Sequence, residues 1–513
     1  ADVLSGAVNG DSALTLTTTA LPKDSRYMRI MQVMQEAEVN RPRFRRIADR
    51  LGAWYTLLAV GVAIAGWIVG RDATRFLSVL VIATPCPLLL AIPVTIIGAI
   101  SISAQNLTLG SHGYESAAQI GNGGLVSFGN ASGDIAISVN NALTLTADGE
   151  SGSVAQIGNG GRNSNTFTDP RPGFSDTGNI VVSAKDIAMQ SLGDESAVSI
   201  GNGGMDAGSG GGFASSILFG GDLTITAKRS LTAIANSLYS NVWIGNGGPE
   251  SASYVTLDDG SITDSGNINI AVGTASTPGT LVLAASGNES TAVIGNGLLY
   301  DANVESEAPD GIFNTGDINI LVKGGTNHGG SLTLLGGEND EDAAAQIGNE
   351  SNGQVSGDIF VKNDGDTEVN GNFSNVWLGN YSDDAEVAGT GDVTILTYSG
   401  QLFGYWFLTD LGNTSGAGGN LTVGFSGPEA TTFGGITYNS PNNFTLLSGG
   451  DLQVISSITN DGTGDVTAVA GWDGHTLGSA AQIAAAGAYG LNNAVLEIGG
   501  PNYGDYVLRD VSL

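Results

Sequence analysis

The chain has 513 residues, a formal net charge of −32, one cysteine, and 79 glycines against 13 prolines. A single cysteine, Cys86, excludes a disulfide framework and any zinc site built on cysteine pairs, and an apolar content of 41% excludes a largely disordered chain. Glycine does not recur every third residue, which excludes collagen, and the acidity excludes nucleic acid as a partner because phosphate and carboxylate repel.

The charge is unevenly placed. Residues 21–104 hold ten Lys and Arg against five Asp and Glu, a net of +5, while the remainder holds eight against 45, a net of −37. Residues 1–20 contain "VLSGAVNGDSALTLTTTA", whose alternation predicts a first β coil. The opening "ADVLSGAVNG" has no basic stretch followed by an apolar run, so the export route is not legible there.

Residues 21–97 break the pattern. "DSRYMRIMQVMQEAE" has helical spacing and "NRPRFRRIADR" is basic. "LGAWYTLLAVGVAIAGWIVG" runs 20 residues without a charge, enough to span a bilayer, and Phe76 to Ala104 runs 29. Residues 51–104 therefore read as a membrane hairpin with the arginines from Arg41 to Arg50 on the cytoplasmic side. A membrane is a partner only if that anchor is genuine.

"ATPCPLLLAIPVTIIGAIS" resembles the ion-path helix of heavy-metal-transporting P-type ATPases, with Pro85, Cys86 and Pro87 at the unwinding positions. The resemblance implies a metal ligand at Cys86 only if the segment works as in that family. The family's phosphorylated Asp-Lys-Thr-Gly-Thr motif does not occur in these 513 residues, so no ATP-driven transport is expected. A natural insertion, a join between two genes and a misassigned stretch all remain open. The join is the expectation, because repeat-like text flanks the segment without a linker. Inside a rod, the segment should show buried Arg or Pro at strand positions.

From residue 98 one pattern recurs. A Gly-[Asp/Asn] pair precedes alternating apolar residues at Gly133, Gly178, Gly221, Gly266, Gly316, Gly357 and Gly391, with spacings of 45, 43, 45, 50, 41 and 34. Weaker copies start at Gly419, Gly450 and Gly464. Second elements such as "ALTLTAD" and third elements such as "AQIGNGG" follow each clear start. Periods of this length mean an array of stacked units. The expected fold is all-β, a right-handed parallel β-helix of about ten coils with three strands each. Residues 98–400 form the array, and 401–513 form degenerate coils and a cap. A β-propeller is the alternative, but its blades need antiparallel hairpins with tight turns. Long connections such as "RNSNTFTDPRPGFSDT" and "LLYDANVESEAPDGIFNT" read as a variable loop strip along one corner.

Asn122, Asn159, Asn202, Asn246, Asn296, Asn349 and Asn380 each follow Ile-Gly or Leu-Gly. They read as a structural ladder of stacked amides, with the next glycine supplying a positive φ at the corner. Chemistry is otherwise sparse. His112, His328 and His475 fit no metal spacing, and no catalytic residue is expected. Asp340, Asp342, Asp383 and Asp384 lie in acidic runs that would suit calcium, though solvated loop charge is the plainer reading. Tyr405–Phe407, Trp243, Trp377 and Trp472 read as core or cap rather than sugar platforms.

"AQIGNGG" together with "SGDIAISVNNALTLTADGESGS" resembles the repeats of filamentous haemagglutinin-type secreted exoproteins. The resemblance covers residues 105–400 and extends to 1–20. It implies a structural or adhesive β-solenoid at the extracellular face of a Gram-negative bacterium. Its partners would be its own copies in a fibre, a surface glycan, or a host or neighbouring cell. A carbohydrate-active β-helix enzyme and an inactive pump fragment fused to a solenoid are the alternatives.

Overall fold

The chain divides into two units, Ala1–Ile97 and Gly98–Leu513. The computed structural model describes residues 100–124, 128–149, 151–163, 173–207, 213–249, 256–299, 312–337, 343–351, 353–370, 375–382, 389–401, 409–411, 418–429, 431–433, 436–438, 442–454, 458–460, 464–478, 482–483, 496–498 and 511–512. The coil expected at 1–20 and the helical, membrane and buried-Arg readings of 21–97 lie outside them.

The described residues are almost wholly β, and every strand pairing among them is parallel. Each strand pairs with its counterpart one repeat on. Ile135 faces Ile180, Ile180 faces Leu223, Leu223 faces Ile268, and Ile268 faces Ile318. The cause is local. Val, Ile, Leu and Thr alternate at period two, so one face is apolar, and only a neighbour with the same phase covers it. Ile135–Val139 shows the pattern, with Ile135, Ile137 and Val139 buried and the residues between exposed. Buried side chains of this kind contribute about 1.5–3 kcal/mol each. One cluster of such residues runs from Ile135 to Ala468.

Each of the seven clear repeats begins with a glycine. Gly178 has φ +148°, and a Cβ there would lie 2.2 Å from the Gly133 carbonyl oxygen of the previous repeat. The first and second predicted strands follow, as Ile135–Val139 and Ala142–Ala147, or fused through a bend as Ile180–Ser191 and Leu223–Ala235. After a corner comes the third strand, as in Val154–Ile157 and Ala197–Ile200, buried along its whole length.

The structure corrects three expectations. The connections are not all loop: Phe174–Thr177, Phe213–Gly220, Thr256–Ser265 and Ile312–Thr315 are fourth strands within a six-stranded sheet. Their pairing partners lie a repeat away, so short Asp- and Gly-bearing segments that show little alternation still become strands. The main sheet has twelve strands along its path, against about ten coils expected. The copy at Gly450 is not a repeat start. Phe444–Ser448 takes that place in the main sheet, preceded by Asn442 and Asn443, while Leu452–Val454 belongs to a small separate sheet.

Beyond Val393 the repeats shorten, because Leu421, Phe444 and Val466 occupy successive rows. Here the outer face of the main sheet is covered. Trp472 and Ile483 pack on Leu396, Leu447 and Val469. Gly424 leaves the room, since a Cβ there would lie 3.0 Å from the Trp472 ring.

Candidate functional site

The seven asparagines form one continuous hydrogen-bonded series. The backbone N–H of each donates to the Oδ1 of the next, from Asn122 to Asn159 (3.0 Å) through to Asn349 and Asn380 (3.1 Å). Side-chain amides also donate along the series, as from Asn159 to Asn202 at 2.9 Å and from Asn202 to Asn246 at 3.1 Å. From Asn159 onward, every member is fully buried.

Each amide also fastens its own repeat. Asn159 Nδ2 donates to the carbonyl of Gly133, which starts the repeat, and to that of Thr177, which ends it, at 2.8 and 3.0 Å. Asn202 does the same for Gly178 and Gly220, and Asn246 for Gly221 and Ser265. The chain thus returns to its starting corner and is clasped there. The glycine after the asparagine has φ +96° at Gly160 and +98° at Gly203. The glycine before it is close-packed, and a Cβ on Gly201 would lie 1.6 Å from the Gly245 oxygen.

A second ladder was missed at the sequence level. The Asp or Asn after each starting glycine accepts, through Oδ1, the backbone N–H of its counterpart one repeat on. Nine such bonds of 2.8–3.1 Å run from Asp134 to Asp465. Its polarity is opposite to that of the asparagine ladder, where the later residue accepts. The signal was present, since only Asp or Asn occupies that position in the seven clear repeats. The glutamine of "AQIGNGG" also has a partner, because Gln156 Nε2 donates to Gly203 O at 2.7 Å.

The fourth strands bring inward a row that sequence reasoning left in loops. Asp176 pairs with Phe219, Phe219 with Asp264, and Asp264 with Asn314. Asp264 is fully buried, and among the described residues neither carboxylate oxygen has a hydrogen-bond partner. Burial pushes its carboxyl well above the usual range. Asp186 shows the opposite balance at the surface. Burial opposes its ionisation, but hydrogen bonds from Arg229 and Ser230 outweigh burial and hold it low. Arg229 grips it through both carboxylate oxygens at 2.6 Å.

The remaining candidates do not converge. Cys86, Asp340, Asp342, Asp383 and Asp384 lie outside the described residues, as do Tyr405–Phe407. His112 pairs with Asp148, His328 stacks on Tyr398, and His475 pairs with Asp473. Among the described residues, no group of three or more His, Cys, Asp or Glu could hold a metal ion. Among the same residues, no helix is long and apolar enough to cross a membrane. Trp243 and Trp472 are buried, and Trp377 stacks on Tyr381 with ring centroids 4.4 Å apart.

Comparison with known proteins touches a small part of the chain. It is 39% identical over 101 residues to the nitrogen fixation protein FixI of Rhizobium meliloti (strain 1021), covering 18% of this chain and 13% of that protein. It is 28% identical over 111 residues to copper-exporting P-type ATPase B of Enterococcus hirae, covering 20% and 15%. It is 35% identical over 104 residues to a probable copper-exporting P-type ATPase V of Mycobacterium tuberculosis, covering 18% and 14%. The chain thus spans about one seventh of the length of these relatives, and it carries a segment similar to a fragment of a P-type ATPase. No family model and no solved structure matches the chain.

Proposed function

We propose that the chain is a structural and adhesive protein of the outer surface of a Gram-negative bacterium, built as a right-handed parallel β-helix of the filamentous haemagglutinin type. The observation that carries this reading is the in-register parallel pairing through a twelve-strand path, fastened at one corner by the asparagine ladder. Such a stack is stiff because neighbouring units are joined by many hydrogen bonds and by continuous aliphatic columns. Its work is mechanical. The partners are further copies of the chain, joined end to end or side by side, and a glycan or cell surface at the fibre's outer face. No catalytic role is assigned, and calcium at Asp340, Asp342, Asp383 and Asp384 would serve only to neutralise acidic runs.

Electron microscopy of the purified chain tests the proposal. Filaments with a right-handed winding and an axial repeat of about 4.8 Å are expected. Dispersed monomers that cleave a glycan would overturn it in favour of a carbohydrate-active enzyme.

A second reading is favoured by the 39% identity to FixI. In it, the segment at about 21–100 is a pump fragment joined to the stack, and Cys86 binds a soft metal such as copper(I). Copper(I) titration of the detergent-solubilised full chain, with a Cys86→Ser control, decides this. Equal binding by both proteins would remove the metal role.

A further inference from the structure

Eight Asn–Gly pairs occur in the chain, and five of them are ladder corners: Asn122–Gly123, Asn159–Gly160, Asn202–Gly203, Asn246–Gly247 and Asn296–Gly297. This dipeptide is chemically labile, because glycine presents no side chain to hinder its backbone nitrogen. That nitrogen can attack Cγ of the preceding asparagine. The new N–Cγ bond closes a succinimide, the Cγ–Nδ2 bond breaks, and the glycine amide proton leaves with the nitrogen as ammonia. Water then opens the ring to aspartate or isoaspartate. The balance is one water in and one ammonia out, with no oxidant or reductant.

The stack blocks each part of this step. The attacking nitrogen is engaged, since the N–H groups of Gly160, Gly203, Gly247 and Gly297 each donate to the preceding repeat's asparagine carbonyl at 2.8–2.9 Å. The leaving amide is engaged as well. In Asn202 it donates to Gly178 O, Gly220 O and Asn246 Oδ1 at 2.8–3.1 Å. Water is excluded, because Asn159, Asn202, Asn246 and Asn296 are fully buried.

The product cannot return to the site. Aspartate has no N–H to give to Gly178 O and Gly220 O, and it places a charge in a buried row beside other acceptors. Isoaspartate adds a backbone carbon where the neighbouring glycine already lacks room for a Cβ.

We propose that the ladder is a modification-gated fastening: its four buried Asn–Gly pairs, from Asn159–Gly160 to Asn296–Gly297, stay intact while repeats are stacked and convert irreversibly once the stack opens. A repeat that has been open long enough is thereby marked and kept from restacking.

The test uses the full chain at mildly alkaline pH, folded and in concentrated urea, with peptide mass mapping and enzymatic isoaspartate labelling over time. Asn9–Gly10, Asn352–Gly353 and Asn370–Gly371 lie outside the ladder and are the internal reference. In urea all eight pairs should convert at similar rates. In the folded chain the four buried ladder pairs should convert at least about tenfold more slowly than in urea, the factor that an opening cost of about 1.4 kcal/mol imposes. Equal ladder rates in the two conditions would overturn the protection. The encoded product Asn202→Asp should lower the melting temperature or prevent folding, and a variant that melts with the wild type would overturn the irreversibility.

Discussion

Asp264 holds a carboxyl in the interior, and among the described residues neither oxygen finds a hydrogen-bond partner. Phe219 lies on one side of it and Asn314 on the other, and burial is the cause of its shift. Its folded pKa lies above the ordinary 3.8. The folded state therefore binds a proton that the unfolded state releases. Stability linked to this group is greatest below about pH 3.8 and falls as pH rises toward the folded pKa. Asp264→Asn keeps the shape and supplies a donor to Asn314. It should stabilise the protein near neutral pH by about 1–3 kcal/mol and by little in acid, read as the difference in urea midpoints across pH. A gain independent of pH would show that titration is not the cause. Asn202 is the opposite case, a buried polar group with every amide partner supplied. Asn202→Ala strands two carbonyls and breaks the ladder in mid-course, so a loss of at least about 2 kcal/mol is expected. Asn122→Ala, at the partly exposed first position, should cost under about 1 kcal/mol. Hydrogen exchange in the flanking strands measures both, because the repeats need not open as one unit.

At the scale of the element, the corner decides more than the strands. A strand tolerates Ile, Leu or Val inward, as the column of Ile318, Ile359, Val393 and Leu421 shows. The corner tolerates only glycine before the asparagine, because two repeats approach backbone to backbone there. Gly201→Ala would push a methyl group to 1.6 Å from the Gly245 oxygen. Separation of the third strands on either side is expected, with loss of protection at Ala197–Ile200 and Asn241–Ile244 before the rest of the stack. Uniform protection loss across all strands would mean that the stack is one cooperative block. The fourth strand shows the converse dependence. Its inward row of Asp176, Phe219, Asp264 and Asn314 has no common chemistry, so only pairing to the neighbouring repeats holds it as sheet.

For the whole molecule, charge governs association. The chain carries −32 overall, and the part outside residues 21–104 carries −37. Copies repel at low ionic strength, and that repulsion is screened over about 10 Å at 0.1 M salt. If the proposed fibre forms through backbone edges and aliphatic rows, light scattering should show assembly accelerating as salt is raised. Assembly that weakens with salt would point instead to ion pairs such as Asp186–Arg229 as the contact.

Much of the fold was written locally. Period-two alternation fixed which residues of Ile135–Val139 face inward, and the recurring Ile-Gly-Asn fixed one asparagine per repeat at one register. Those signals are legible because a repeat must present the same chemistry at the same phase to stack on itself. Three features were decided only by tertiary contact. The fourth strands were hidden, since a segment such as Phe174–Thr177 is held by partners some 45 residues away rather than by its own pattern. The late repeat at Asn442–Asn443 was hidden because it lacks the starting glycine and keeps only the Oδ1 acceptor of Asn443. Asp264 was hidden because nothing in "SITDSGN" tells an inward carboxyl from a solvated one. Sequence sets the chemistry of each position by its neighbours in the chain, whereas burial and pairing are set by neighbours one repeat away.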